Sequence, residues 1–289
     1  MRELNEQEES VGRYYDEVIF DAEITRLKEI FPVEYAITAR HLRRWIPDGA
    51  AVAEIGVGGG LYSELLARRG CRLHLVDVSE KLLIAASERL RASGLASQII
   101  GVDRASATNP GCLRDAAFDA VLMLGPLYHL LTLDERRWAV SEAARVLKPG
   151  GVLLAAGINR LDYLRDLFRE SPQKILLRRD FIRQFLRDGN LDPEIAPPIG
   201  HSHTTTVDEF RELFSGDFEE LAMIAVESFS SPWQGKLNEL SEAEAEAWLD
   251  LIEQTGTMPE AFGLADHYLY VGGKASYWYK PRRNEEREE

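Results

Sequence analysis

Cysteine is nearly missing from this chain, with only Cys71 and Cys112 among 289 residues. A disulfide framework or a cysteine-built metal site needs more, and neither thiol has a neighbouring histidine or a zinc-type spacing. Two free thiols in a reducing compartment are the expectation, and with them a cytoplasmic protein. Long apolar runs are also missing. No stretch approaches the roughly 20 apolar residues that a membrane helix needs, so no membrane partner is expected. The opening MRELNEQEES is acidic and has no apolar centre, unlike a signal peptide. Positive charge is scarce: 34 Lys and Arg stand against 48 Asp and Glu, a formal net charge of -14. That surface repels phosphate backbones, and no nucleic-acid partner is expected.

What the chain does have is alternation. Short apolar segments with β character at 50–56, 72–78, 97–102, 118–124 and 151–157 are separated by helical patterns. The helix over 79–94 carries an apolar stripe of Leu82, Leu83, Ala86 and Leu90 and ends at Gly94. Thr132 followed by Glu135, and Thr206 followed by Glu209, have the spacing of capping boxes. Further strands are read at 218–228 and 267–273, and a helix at 241–256. Strands alternating with helices predict an α/β fold, a doubly wound and mostly parallel sheet with helices on both faces, whose ligand edge lies at the strand C-termini. The expected organisation is a helical segment over 1–48, a core over 49–157, a helical lid insertion without strands over 158–204, the rest of the core over 205–276 and a charged tail over 277–289.

Residues 54–60 read EIGVGGG. Glycines at 56, 58 and 60 between a strand and a helix form a turn that something approaches closely. A dinucleotide turn, G-x-G-x-x-G with a pyrophosphate on the helix N-terminus, is one reading. Here the third glycine falls one residue early, and Leu61 stands in the dinucleotide position. Glu54 separates the alternatives: a carboxylate two residues before the first glycine suits a cationic group and repels a pyrophosphate.

With these motifs the sequence resembles the class I S-adenosylmethionine-dependent methyltransferases, whose first motif has the form acidic-x-G-x-G-x-G. The resemblance covers most of 34–157, continues more weakly to 274, and includes RVLKPGG at 145–151. The string LGPLYHL at 124–130 looks like a subgroup acting on small molecules. The resemblance implies a seven-stranded Rossmann-like sheet and S-adenosyl-L-methionine as cofactor. Gly56, Gly58 and Gly60 would pass the methionine part, and Glu54 would organise its positive amino end, directly or through water. Asp77, with Val78 after it, would take the ribose hydroxyls, since each carboxylate oxygen accepts one hydrogen bond. Asp103 would accept from the adenine amino group while the Arg104 amide donates to the ring. Leu124 closes strand four at the cofactor edge, and the 1–48 segment would cover the cofactor site.

The sulfonium methyl is already activated, so the protein must align an acceptor and exclude water, with a base only where the acceptor carries a proton to lose. His129 follows strand four and titrates near neutrality, making it the candidate base, with Tyr128 beside it as a wall or a cofactor contact. Tyr14 in the N-terminal segment, Arg160 after strand five, and His201 and His203 in an H-x-H string are candidate acceptor contacts. Arg160 could hold a substrate carboxylate bidentately or pair with an acid on the lid. The H-x-H string has no third ligand nearby, and no metal is expected. In similar enzymes, amino methylation of bases goes with an Asn- or Asp-Pro-Pro-aromatic string; Gly125-Pro126-Leu127-Tyr128 stands in that place. A small-molecule methyl acceptor is therefore the expectation. The competing readings are a tRNA or protein methyltransferase, an NAD-type oxidoreductase and a non-catalytic cofactor-binding protein. The oligomeric state is not legible.

Overall fold

The computed structural model describes residues 3–191 and 202–274. Its main sheet has seven strands: β1 (Ala51–Ile55), β2 (Arg72–Asp77), β3 (Ile99–Arg104), β4 (Phe118–Met123), β5 (Leu147–Ile158), β6 (Phe218–Ala225) and β7 (His267–Lys274). The order across the sheet is β3-β2-β1-β4-β5-β7-β6. The first five strands run parallel, and β7 lies antiparallel between β5 and β6. That reversed strand departs from the 3-2-1-4-5-6 order of a dinucleotide-binding sheet.

Successive strand residues point to opposite faces, and both faces are covered. On one side Val52, Leu75, Leu122 and Leu154 meet four helices: α4 (Pro32–Trp45), α5 (Leu61–Arg68), α6 (Glu80–Ala92) and α11 (Glu242–Thr255). On the other, Ala53, Val121, Met123 and Leu153 meet α7 (Leu133–Val146) and α10 (Val207–Leu213). The boxes expected at Thr132 and Thr206 are formed, each side chain accepting from the third-residue amide while that glutamate accepts from the cap amide.

Three short helices precede this core: α1 (Glu6–Glu17), α2 (Phe20–Glu23) and α3 (Arg26–Glu29). After β5 come α8 (Arg160–Glu170) and α9 (Arg179–Asp188), which bury Tyr163, Leu167 and Phe185 between them.

Two sequence expectations are corrected. Strand three starts at Ile99 rather than 97, because residues 96–98 take up a 3-10 turn. The lid is not strand-free: Asn190–Leu191 pairs antiparallel with Ser202–His203. A two-residue ladder has no periodicity to read. His201 and the tail lie outside the described residues.

Candidate active site

The glycine turn joins β1 to α5. Gly56, Gly58 and Gly60 have φ of 82°, 52° and 74°, in the left-handed region that favours glycine. Much of what presses on the turn is the chain itself. A Cβ at Gly56 would lie 2.7 Å from the Pro126 ring, and one at Gly58 would lie 3.2 Å from Glu23 Oε1. At Gly60 it would lie 2.8 Å from the Ala86 backbone of α6. Gly60, expected at the cofactor, thus serves helix packing instead, while Gly56 and Gly58 line a cavity at the C-terminal edge of the sheet.

Asp77, at the end of β2, also lines that cavity. Its Oδ1 accepts from the Ser79 amide at 2.9 Å and its Oδ2 from the Gly58 amide at 3.3 Å. Burial pushes the carboxyl up to about 6 despite these bonds. Glu54 lies behind the turn, 2% exposed, and accepts a hydrogen bond from Ser63 Oγ at 2.5 Å. Burial pushes it up to about 8, the serine bond only partly opposing this. Ser63 was not singled out in the sequence. Its place in the first turn of α5, nine residues after Glu54, was the available signal.

Asp103, Arg104 and Leu124 are not among the residues that line this cavity, although the contact expected of Arg104 is its backbone amide rather than its side chain. Asp103 is 2.7 Å from His74 Nε2, and the His74 ring crosses Gly101 so closely that a Cβ there would sit 2.4 Å from it. The two-residue pleat puts Asp103 on the Gly101 side of β3, away from the cavity. Arg104 donates from Nε to the Val78 carbonyl and pairs with Glu9 at 2.7 Å. The cavity wall comes one residue later, from Ala105, Ser106 and Ala107, opposite Val78 and Leu82. Leu124 packs on the core, and Gly125 and Pro126 line the cavity in its place. An apolar slot with a two-oxygen acceptor at its rim fits a flat ring carrying a ribose diol, the nucleoside half of S-adenosylmethionine.

Helix α1 lies across the cavity as a strap. Gln7, Glu8, Val11 and Tyr15 line it from above. Gln7 Nε2 donates to the His129 carbonyl at 2.9 Å, Thr108 Oγ1 to Glu8 at 2.9 Å, and Ser79 Oγ to Asp16 at 2.5 Å. Gly12 makes the closest passage, where a Cβ would meet the Val78 carbonyl oxygen at 2.8 Å.

His129 lines the same cavity, with its Nε2 2.9 Å from the Tyr15 hydroxyl and its ring edge-on to Tyr15 and Tyr128. Tyr128 faces away from the donor slot, and burial raises its hydroxyl far above the ordinary value, so it cannot ionise near neutrality. Next to these rings is a second cavity, about 470 Å³, which shares Tyr15 and Glu23 with the first as wall residues. Tyr14, Phe31, Tyr128 and Ile158 form its apolar side, and Asp162, Asp166, Asp266 and His267 its polar side.

Arg160 and His203 border a third cavity, about 220 Å³, on the far side of Tyr128. Arg160 is engaged internally, its guanidinium gripping Glu209 of α10 at 2.5 and 3.1 Å and donating to the Thr204 carbonyl. The expected substrate carboxylate is thus replaced by the protein's own, and by one on α10 rather than on the lid. His203 Nδ1 lies 2.8 Å from Asn190 Oδ1, and burial with the nearby Arg136 and Arg160 lowers it to about 3, so it is neutral. Neither residue touches the two cavities that meet at Tyr15.

Residues 53–155 match the family model of a methyltransferase domain. The chain is similar to a ubiquinone biosynthesis O-methyltransferase of Agrobacterium fabrum, 34% identical over 45% of this chain and 49% of that one. One from Methylococcus capsulatus is 26% identical over 64% of this chain and 80% of that one. The chain spans about half the length of several of these curated relatives. Among solved structures, the N-methyltransferase NodS of Bradyrhizobium japonicum with bound S-adenosylhomocysteine shares the fold, with a TM-score of 0.55 at 14% identity over 92% of this chain and 98% of that one. So does the [4+2]-cyclase SpnF, with a TM-score of 0.56 at 17% identity over 93% and 97%. Among the described residues no helix is long and apolar enough to cross a membrane. The matched segment, the strand order and the acidic glycine turn agree: residues 53–155 are a methyltransferase domain, set in a seven-stranded sheet of the same fold as these S-adenosylmethionine-dependent enzymes.

Proposed function

We propose that this protein transfers the methyl group of S-adenosylmethionine, in line, to a nitrogen, oxygen or sulfur atom of a small molecule. One observation carries the reading: the donor slot shares two wall residues, Tyr15 and Glu23, with a second cavity of about 470 Å³ bounded by the chain's own N-terminal helices and α8. That volume suits a metabolite.

In this reading Asp77 holds the ribose, Val78 and Ala105–Ala107 flank the adenine, and Gly56 and Gly58 pass the methionine part. Glu54, fixed by Ser63 behind the turn, sets the field for the positive amino end. The donor supplies an activated methyl whose leaving group is a neutral thioether. The chain's own work is to place the acceptor about 3 Å from that methyl and keep water out. His129 with Tyr15 forms the wall at that junction; its Nε2 contact with Tyr15 makes it a positioning group for the acceptor face as well as the candidate base. The relatives' names concern oxygen methylation, and the named cyclase shows that the fold alone does not fix the reaction.

The test is calorimetric titration with S-adenosylmethionine, S-adenosylhomocysteine and NAD, repeated on Asp77→Ala. Micromolar binding of the first two, weakened about ten- to hundredfold in the variant by loss of charge-assisted hydrogen bonds, is the expected result. Preference for NAD would overturn it. Binding without methyl transfer to any small molecule would favour a cofactor-binding or macromolecule-directed protein.

A further inference from the structure

The second cavity has a definite charge character. Its cations are already neutralised by the protein. Arg26 is 2.6 Å from Glu23 and 3.6 Å from Glu34. Arg169 is 2.7 Å from Asp166. Arg165 pairs with Asp266 and lies 3.7 Å from Asp162. His267 Nδ1 lies 2.7 Å from Glu227 and 3.9 Å from Glu34. Burial alone would depress that imidazole, but Glu34 and Glu227 outweigh it and push it up to about 10, so it is charged. Six carboxyl groups thus surround four cations, and the surplus is negative.

Asp162 and Asp166 lie one turn apart on α8 and both line the cavity; Asp166 is paired with Arg169, while Asp162 has no cation within 3.5 Å among the described residues. Asp162 and Asp266 are within hydrogen-bond reach of each other. Burial, then the facing Asp266, push Asp162 well above the usual carboxyl range, so it keeps its proton until a cation arrives. Asp166 and His267 are the other titratable groups facing it, with Arg165 beside it. A second observation is independent of the acids. Ser231, 4% exposed, lines the cavity, and its Oγ has no hydrogen-bond partner. A buried orphan hydroxyl is destabilising unless a ligand satisfies it.

We propose that the acceptor is a small organic amine with an apolar or aromatic body, its ammonium seated between Asp162, Asp166 and the Ser231 hydroxyl and its body against Tyr14, Phe31 and Tyr128. An ammonium brings hydrogen-bond donors and a positive charge, which is what the orphan oxygen and the surplus carboxyls lack. A phenol brings a donor but no charge, and a carboxylate brings neither. On binding, the ammonium displaces the Asp162 proton to solvent. The ammonium then gives one proton to Asp162. The freed nitrogen pair forms the N–C bond as the C–S bond breaks, sulfur keeping the bonding electrons. The products are the N-methylammonium, which carries the charge brought by the sulfonium, and S-adenosylhomocysteine. The oxygen chemistry in the relatives' names does not conflict. The matched domain is 53–155, whereas this cavity is built from residues before 32 and after 157, Tyr128 excepted.

This inference rests on the methyltransferase reading, and the experiment separates the two. The chain is first titrated with S-adenosylhomocysteine. The complex is then titrated with 2-phenylethylamine, its N-methyl derivative, 2-phenylethanol and phenylacetate, and the same compounds are offered with labelled S-adenosylmethionine. The expected result is binding and methylation of an amine, with the alcohol and the acid at least tenfold weaker. Asp162→Asn should lose at least tenfold in amine affinity while cofactor affinity stays within twofold. Intact cofactor binding with no preference for amines, or an Asp162→Asn variant that binds amines normally, overturns the amine acceptor and leaves the methyltransferase reading standing. Failure to bind the cofactor overturns both.

Discussion

Gly12→Ala separates stability from function. Gly12 sits inside α1 with ordinary helical backbone, so alanine there raises helix propensity by about 0.5–1 kcal/mol. The new methyl would nevertheless sit 2.8 Å from the Val78 carbonyl oxygen, about 0.6 Å inside ordinary contact. Val78 cannot retreat, because it follows directly on β2 and its oxygen accepts from Arg104 Nε at 2.9 Å. The strap must lift instead. Its ties to Thr108, Ser79 and the His129 carbonyl span 2.5 to 2.9 Å, and stretching them by that amount takes most of them past useful length. Losing one or two at about 0.5–1.5 kcal/mol each is about 0.5–3 kcal/mol in all, and predicts S-adenosylhomocysteine binding weaker by roughly two- to 150-fold. Calorimetry gives the affinity, and thermal unfolding without ligand should change less than binding does, because the gain in helix propensity offsets part of the lost ties. An affinity within twofold of the parent, in a folded variant, would refute the role of α1 as cover.

Two further outcomes follow from the turn and the carboxyl behind it. Glu54 is raised to about 8 in the folded chain against an ordinary 4.5, so the native state holds more protons between those values and stability falls as pH rises through that window. Glu54→Gln keeps an acceptor for Ser63 and should be more stable than the parent at pH 8 by about 1–3 kcal/mol, and alike at about pH 4, by urea denaturation; an unchanged pH slope would refute the assignment. Gly60→Ala adds left-handed strain of about 1–2 kcal/mol to an overlap with α6, and should lower the melting temperature by several degrees whether or not cofactor is present.

Much of the donor side was legible because it is local. The apolar runs of β1, β2 and β4, the glycines at 56 and 58, Asp77 and the caps at Thr132 and Thr206 all announce themselves within a few residues. Asp103 misled because a carboxylate near the expected place says nothing about which way the pleat turns it; His74 on the neighbouring strand decides that. Arg160 misled because its partner, Glu209, is 49 residues away. The second cavity was illegible for the same reason. Glu23, Asp162, Ser231 and Asp266 are scattered along the chain, and each reads alone as a solvated residue.

The reversed direction of β7 has a consequence for how the molecule is assembled. A parallel strand would deliver its last residues to the ligand edge; this one delivers its first, Asp266 and His267. Apart from the strap and Glu23, the donor slot is written into one contiguous stretch, residues 56–135. The facing cavity draws on both extremities of the chain and is complete only when the final strand has slotted between two others already in place. Residues 56–135 therefore carry most of the donor slot by themselves, whereas the facing cavity needs both flanks of that stretch. The two halves are separable for variation as well: the flanks can be rewritten for a new acceptor without touching the segment that holds the donor.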